Sequence, residues 1–255
     1  MDLHLPTGGL SRYKSASQRA RVGTESWGAE HLFCPACESP HLRPSPQGTP
    51  AIDYICPACD SPFQLKSQSK PLGSKIVDAA FSEMKRAIFE DRTPNLYVMH
   101  YDLAAWTVET VILVPRFAFT FSALERRPPL AATARRAGWV GCNIVLDKIP
   151  LSARISVIRQ GKAESIKSVR HAYQRLRPLE KLQVERRGWT LDVLQVVQSL
   201  NKMEFSLPDV YAHTEALSSL HPKNAHVRDK IRQQLQVLRD LGLLEFLGGG
   251  SYRLR

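Results

Sequence analysis

Apolar and polar residues alternate with two different periods along the chain. Residues 11–30, SRYKSASQRARVGTESWGAE, follow helical spacing, although Gly23 weakens the later half of that helix. Two short alternating runs, AIDYI at 51–55 and PFQLK at 62–66, predict strands joined by a tight connection. After a Gly/Ser break at PLGS, residues 75–90 (KIVDAAFSEMKRAIFE) carry apolar positions at helical spacing. NLYVMHYD at 95–102 and TVETVILVP at 107–115 read as strands again. Strand, strand, helix, strand, strand is the order of an α/β or α+β domain with a crossover helix.

From residue 188 the period is helical. TLDVLQVVQSL at 190–200 predicts an amphipathic helix with Thr190 as its cap. A second helix opens at Ser206-Leu207-Pro208-Asp209 and runs towards Leu220, with proline tolerated in its first turn. A third starts at Asn224 and stops near Gly242, and LLEFLGGGSYRLR then reads as strand, glycine turn, strand. Three helices and a terminal hairpin form a winged helix, whose third helix is the one offered to a major groove.

The length of 255 residues accommodates one large domain or two smaller ones, and 43% apolar residues argue against wholesale disorder. No segment has the apolar length of a membrane span, and the N-terminus lacks a signal-peptide pattern, so a cytoplasmic protein without a membrane partner is expected. The net charge of +11 is unevenly placed. Residues 1–115 hold 11 basic and 12 acidic side chains, residues 116–187 hold 16 and 5, and residues 188–255 hold 8 and 7. The surplus sits in the central segment, as on a surface that faces a polyanion; a merely solvated face is the alternative.

Four of the five cysteines form Cys34-Pro-Ala-Cys37 and Cys56-Pro-Ala-Cys59, with 18 residues between the pairs. Two such knuckles bring four thiolates to one tetrahedral Zn²⁺, and four protein ligands leave no open position, so the site is structural. Paired disulfides are the competing reading, but nothing suggests an oxidising compartment. Cys142 stands alone and reads as a small buried apolar residue.

Asp53 and Gln64-Leu65-Lys66 are the sharpest catalytic candidates. On adjacent strands, Asp53 and Gln64 can aim oxygens at one Mg²⁺, which prefers hard oxygen ligands. Strand alternation places Gln64 and Lys66 on one face, where Lys66 can orient water and offset developing phosphate charge. This is the layout of PD-(D/E)xK phosphodiesterases, with Gln64 in place of the second acid; alone, the pattern arises often by chance. Glu25, on the first helix, can offer another acidic oxygen or serve as an ordinary exposed or capping residue.

The third helix region carries Asn224, His226, Arg228, Lys230, Arg232, Gln233 and Gln234 among apolar positions. Arg reads guanine bidentately and Asn or Gln reads adenine, although amphipathic helices carry such residues on any solvated face. Trp139, beside Arg135 and Arg136 in ARRAGWVG, and Trp189 offer indoles for stacking on bases, with core packing as the default for either.

Over essentially its whole length the chain resembles the DpnI-type methylation-dependent restriction endonucleases. The stretches that carry the resemblance are YKSASQRARVGTE, both Cys-x-x-Cys knuckles, Asp53 with Leu65-Lys66-Ser67, PLAATARRAGWVGCNI, RRGWT and KIRQQLQVLRD. The resemblance implies a PD-(D/E)xK restriction-endonuclease-like core with an inserted structural zinc over residues 1–185, then a winged helix over 186–255. It implies a monomeric type II (IIM) enzyme of the prokaryotic cytoplasm that cuts double-stranded DNA at GATC carrying N6-methyladenine, with Mg²⁺ as catalytic cofactor. Both domains are implied to recognise the methylated site. The family's roles fall on Asp53, Lys66 and the four knuckle cysteines. One position departs: the family has Glu where this chain has Gln64, although Mrr-type nucleases look similar in using Gln-x-Lys.

Overall fold

The computed structural model describes residues 1–255. It is a mixed α+β structure of two compact units. The first comprises residues 1–76, 92–116 and 153–174; the second comprises 77–91, 117–152 and 175–255. No helix is long and apolar enough to cross a membrane.

The elements in chain order are α1 (Ala16–His31), β1 (Arg43–Pro44), β2 (Tyr54–Ile55), β3 (Pro62–Gln68), β4 (Lys75–Ala80), α2 (Phe81–Phe89), β5 (Asn95–Asp102) and β6 (Thr107–Val114). There follow β7 (Leu124–Arg126), β8 (Gly141–Val145), β9 (Ile155–Arg159), β10 (Lys162–Ala163), α3 (Ile166–Leu176) and α4 (Val184–Ser199). The chain closes with β11 (Glu204–Ser206), α5 (Leu207–Tyr211), α6 (Thr214–Leu220), α7 (Val227–Asp240), β12 (Leu244–Gly248) and β13 (Ser251–Leu254).

The first unit is built on a seven-stranded sheet, β1-β2-β3-β5-β6-β9-β10. Only β3 and β5 pair in parallel, so the chain between them must cross over rather than turn back. β5 is the central strand, and its run from Asn95 to Met99 is buried on both faces, which is why it reads as an almost continuous apolar stretch. Helix α1 keeps its axis close to this sheet through Gly23, Thr24, Trp27 and Gly28, which are its buried residues. Gly23 does not break the helix, because the space beside it is filled: a Cβ there would lie 2.9 Å from the Trp106 ring.

The expected helix over 75–90 is half strand. Lys75–Ala80 extends as β4 with alternating burial, and the helix begins only at Phe81. Ile76 and Val77 are β-branched, and six residues are too few for apolar spacing to separate a strand from a helical turn. β4 continues into the sheet β4-β8-β7, an arrangement that the sequence reading did not anticipate. Residues 116–187 also contain β9 and α3, both unpredicted.

In the second unit, α4 starts at Val184, six residues earlier than expected. Thr190 is therefore not a cap: it is fully buried inside the helix, with its hydroxyl on the Arg186 carbonyl (2.9 Å) and the Gln234 side chain (2.8 Å). The expected second helix is two short ones, α5 and α6. α5 begins with a reciprocal capping box between Ser206 and Asp209. β11, β13 and β12 form a small sheet in that order, which with α4, α6 and α7 completes a winged helix. The wing turns on Gly248, Gly249 and Gly250, all at positive φ, where side-chain-bearing residues are strained.

Candidate functional site

Two constellations lie in the first unit and share one hairpin. The backbone from Asp53 to Lys66 runs through β2, the second cysteine knuckle and β3.

At the knuckles, the four Sγ atoms of Cys34, Cys37, Cys56 and Cys59 lie within 4.8 Å of one another. Cys34 and Cys59 are 3.6 Å apart, and Cys37 and Cys56 are 3.5 Å apart. These separations are far beyond a disulfide bond and close to the roughly 3.8 Å edge of a tetrahedron of thiolates about 2.3 Å from zinc. All four are free thiols, and the cluster fits a structural zinc ion. Burial pushes the Cys34 thiol upward. Burial also opposes ionisation of Cys56, but the backbone N–H groups of Ala58 and Cys59 outweigh it and draw that thiol down to about 7.

At the other constellation, Asp53 immediately precedes β2 instead of lying within it. Its N–H donates to the Phe63 carbonyl (2.8 Å), and its Oδ2 accepts from the Leu65 N–H (2.7 Å). Asp53 thus bonds to the residues on both sides of Gln64. Gln64 and Lys66 occupy alternate positions of β3 and are both half-buried. The predicted juxtaposition of Asp53 with Gln64-x-Lys66 is present in the backbone register.

Helix α1 borders the same place. Glu25 and Arg21 line a cleft of about 430 Å³ with Asp53, Tyr54 and the loop 44–49. Glu25 is held by Arg21 Nε at 2.7 Å. The buried Tyr54 hydroxyl donates to the Glu25 carbonyl (2.7 Å), and the Thr24 and Ser67 hydroxyls are 3.0 Å apart. Each contact lies one residue from a catalytic candidate. Burial, and then the carboxylates of Asp53 and Glu25, push the Tyr54 phenol upward. Tyr54 is not among the residues that the sequence singles out, because no local pattern marks its approach to α1.

Arg135, Arg136 and Trp139 lie in a surface loop of the second unit. The loop is closed by the Leu130 N–H on the Trp139 carbonyl (2.9 Å) and the Gly138 N–H on the Leu130 carbonyl (3.0 Å). The Arg136 guanidinium stands over the Trp139 ring at 4.8 Å, and the ring leans on Gly141, where a Cβ would lie 2.7 Å away. Trp139 is half-buried, whereas Trp189 is in the core, 4% exposed, and stacked on His221 at 3.7 Å between ring centroids. The default of core packing therefore holds for Trp189, whose face is covered. His221 in turn bonds to the buried Asp192 (2.8 Å), which also accepts from Ser122 (2.5 Å).

α7 begins at Val227, so Asn224 and His226 precede it. His226 is the N-cap residue, and its N–H donates to the Asn224 side chain at 2.8 Å. Arg228, Arg232 and Gln233 are exposed on the helix and Lys230 is half-buried, whereas Gln234 is turned into the core, where it accepts from Thr190, and does not face a groove. Arg228 lies over Tyr211 at 5.3 Å, and Arg232 pairs with Asp229 at 3.3 Å. Lys230 and Gln233 border a groove of about 310 Å³ with Gln183, Glu185, Arg186 and Trp189. The basic segment is divided: Arg116, Arg154, Arg159, Lys162, Lys167 and Arg170 belong to the first unit and the rest to the second. Two of its arginines face inward, Arg170 towards the first knuckle and Arg187 to an ion pair with Asp91.

A sheet-based unit holding a four-thiolate cluster, in a chain that ends in a winged helix, defines a zinc-fitted α+β protein with a DNA-binding module. Residues 1–182 match the model of the Dam-replacing family, DpnI, and residues 185–254 match the Dam-replacing HTH domain. The chain belongs to the DpnI, Dam-replacing, family. That membership places it among restriction-type nucleases with a helix-turn-helix DNA-binding domain.

Proposed function

We propose that the chain is a methylation-dependent type II restriction endonuclease. It cuts double-stranded DNA at GATC sites that carry N6-methyladenine, with residues 1–185 as a PD-(D/E)xK catalytic domain and 186–255 as a winged-helix reader. The observation that carries this reading is the bracketing of Gln64 by Asp53, two residues from Lys66, within the part of the chain that matches the family.

Asp53 and Gln64 offer a carboxylate and an amide oxygen, a donor set that fits a hard dication at lower charge than two carboxylates. Magnesium held there supplies positive charge at the scissile phosphate. The Leu65 N–H fixes Asp53 Oδ2 and so orients the carboxylate that would hold the metal. Lys66 orients the attacking water and offsets the charge that grows on the phosphate. The cysteine cluster holds structural zinc.

N6-methylation adds apolar surface to adenine and removes a donor, which a fitted pocket converts into about 1 kcal/mol or somewhat more. Reading by both domains multiplies that small preference. Trp139, with its half-buried ring, lines the pocket of the catalytic domain, and Arg135 and Arg136 grip phosphate. Arg228, Lys230, Arg232 and Gln233 of α7, with Asn224 and His226 before it, address the major groove. The enzyme acts as a monomer in the cytoplasm, where chromosomal DNA is its substrate.

The neutral Gln64 favours a second reading, a methyladenine-binding protein whose metal site has weakened. Methylated and unmethylated plasmid, incubated with Mg²⁺, Mn²⁺ or EDTA, separates the two. Metal-dependent cutting of methylated plasmid alone, lost in Asp53→Ala and Lys66→Ala while DNA binding persists, supports the nuclease. Undiminished cleavage by both variants refutes this active site; binding without cutting in either metal supports the second reading.

A further inference from the structure

The second knuckle is the connection between the strands that carry the catalytic candidates. Cys56 follows Asp53 by three residues, and Cys59 precedes Gln64 by five. The backbone closes this connection with Cys56 N–H on the Ser61 carbonyl (3.0 Å) and Asp60 N–H on the Cys56 carbonyl (3.0 Å). The first knuckle closes in the same way, with Cys34 N–H on the Ser39 carbonyl (3.3 Å), but it lies between α1 and β1 and not inside a strand hairpin. It is braced instead by α3, more than a hundred residues away in the chain.

Arg170 of α3 donates from Nε to the Cys34 carbonyl (3.1 Å), from Nη2 to the Ser39 carbonyl (2.9 Å) and from Nη1 to Glu38 (2.7 Å). Its guanidinium also lies 5.9 Å from the Phe33 ring centroid. One planar side chain therefore holds both ends of the Cys34–Ser39 loop, with only 15% of its own surface exposed. One turn further on, Gln174 donates to the Ala36 carbonyl at 3.2 Å. α3 is itself anchored: the Tyr173 hydroxyl bonds to Asn95 Oδ1 at 3.2 Å, and Asn95 Nδ2 reaches the carbonyl of Pro62, the first residue of β3, at 3.3 Å.

We propose that Arg170 is a positioning residue for the catalytic hairpin. It holds Cys34 and Cys37 in place to share one zinc ion with Cys56 and Cys59. The closed cluster then keeps Asp53 in register with Gln64-x-Lys66. The arginine counted in the sequence as part of a DNA-facing surplus is assigned to the metal site instead. The link from zinc retention to cleavage rests on the nuclease reading above; the link from Arg170 to zinc retention and hairpin order does not.

The test uses the full-length zinc-loaded protein and its Arg170→Ala, Arg170→Lys and Gln174→Ala variants. Zinc release is followed with a chromogenic chelator, and hydrogen exchange is measured at the Leu65 amide, which Asp53 Oδ2 protects. Outer-shell partners of metal ligands change affinity by about 10- to 100-fold, so Arg170→Ala should release zinc at least about tenfold faster. Its Leu65 amide should exchange faster in step, and α7 amides should be unchanged. Arg170→Lys, which keeps the charge but loses the fork, should fall between. If Arg170→Ala does not fold, Arg170→Lys and Gln174→Ala carry the same two measurements. Folded variants with wild-type zinc release and wild-type Leu65 exchange overturn the proposal. If cleavage is absent in the wild type, only the nuclease reading fails, because neither measurement uses it.

Discussion

Gly28 sits in the interior of α1, where alanine is normally the better residue by about 0.8–1 kcal/mol. Its replacement by alanine should nevertheless destabilise the protein. A Cβ at this position would lie 2.4 Å from the Tyr54 hydroxyl oxygen, 3.0 Å from Tyr54 Cζ and 3.2 Å from Leu32 Cδ1. Tyr54 is 2% exposed and cannot swing aside, so either its ring or the helix must move. Overpacking of this kind costs about 1–3 kcal/mol. Loss of the Tyr54–Glu25 hydrogen bond adds about 1 kcal/mol. Set against the helix-propensity gain, Gly28→Ala should come out about 1–3 kcal/mol less stable. The control is Gly188→Ala in α4, where no atom lies within 4 Å of the added Cβ and the full gain of about 1 kcal/mol should appear. Urea unfolding monitored by circular dichroism measures both. In a Tyr54→Phe background the nearest clashing atom is gone, and the cost of Gly28→Ala should fall by about 1 kcal/mol or more. A Gly28→Ala protein as stable as Gly188→Ala would refute the claim that Tyr54 seats the helix against the hairpin of residues 53–66.

Three further outcomes follow from particular contacts. Gln64→Glu restores a second carboxylate beside Asp53, so half-maximal cleavage should occur at lower Mg²⁺ concentration in a plasmid titration; an unchanged or raised requirement would count against Gln64 as a metal ligand. Thr190→Val removes the donor to Gln234, which is fully buried, and should destabilise the winged helix by about 1–3 kcal/mol in denaturant unfolding. Asp209 is held below the usual carboxylate range by Lys202 and then by Ser206, so its ionised form favours the folded state. That stabilisation is present above the unfolded pKa and is lost as pH falls through the folded one. The Tm gap between wild type and Asp209→Asn should therefore be open at pH 7 and close under acid.

The elements read most faithfully from sequence were those whose neighbours in space are also near in the chain. β5 falls at residues 95–102 as expected, because a doubly buried strand must be apolar along its length. The winged helix was legible from three amphipathic segments and a glycine-rich hairpin, with errors at Thr190 and Asn224, where helix ends depend on what covers them. The cysteine spacing predicts a four-thiolate cluster and the four thiols do converge, since each Cys-x-x-Cys knuckle pairs two of them locally.

What the sequence did not carry is what long-range pairing decides. KIVDAA has the composition of either a strand or a helical turn, and pairing with β8 makes it a strand. Residues 116–187 looked like one basic surface, yet Arg170 and Arg187 are turned inward by carbonyls and carboxylates that lie far away in the chain. Nor does any local pattern announce that Tyr54 reaches the Glu25 carbonyl across the space left by Gly28. Residue types, short-range spacing and charge determined the kinds of chemistry available to this protein. The tertiary structure decided which of those side chains meet, because hydrogen bonds and close packing between distant segments form only once the sheet has brought them together.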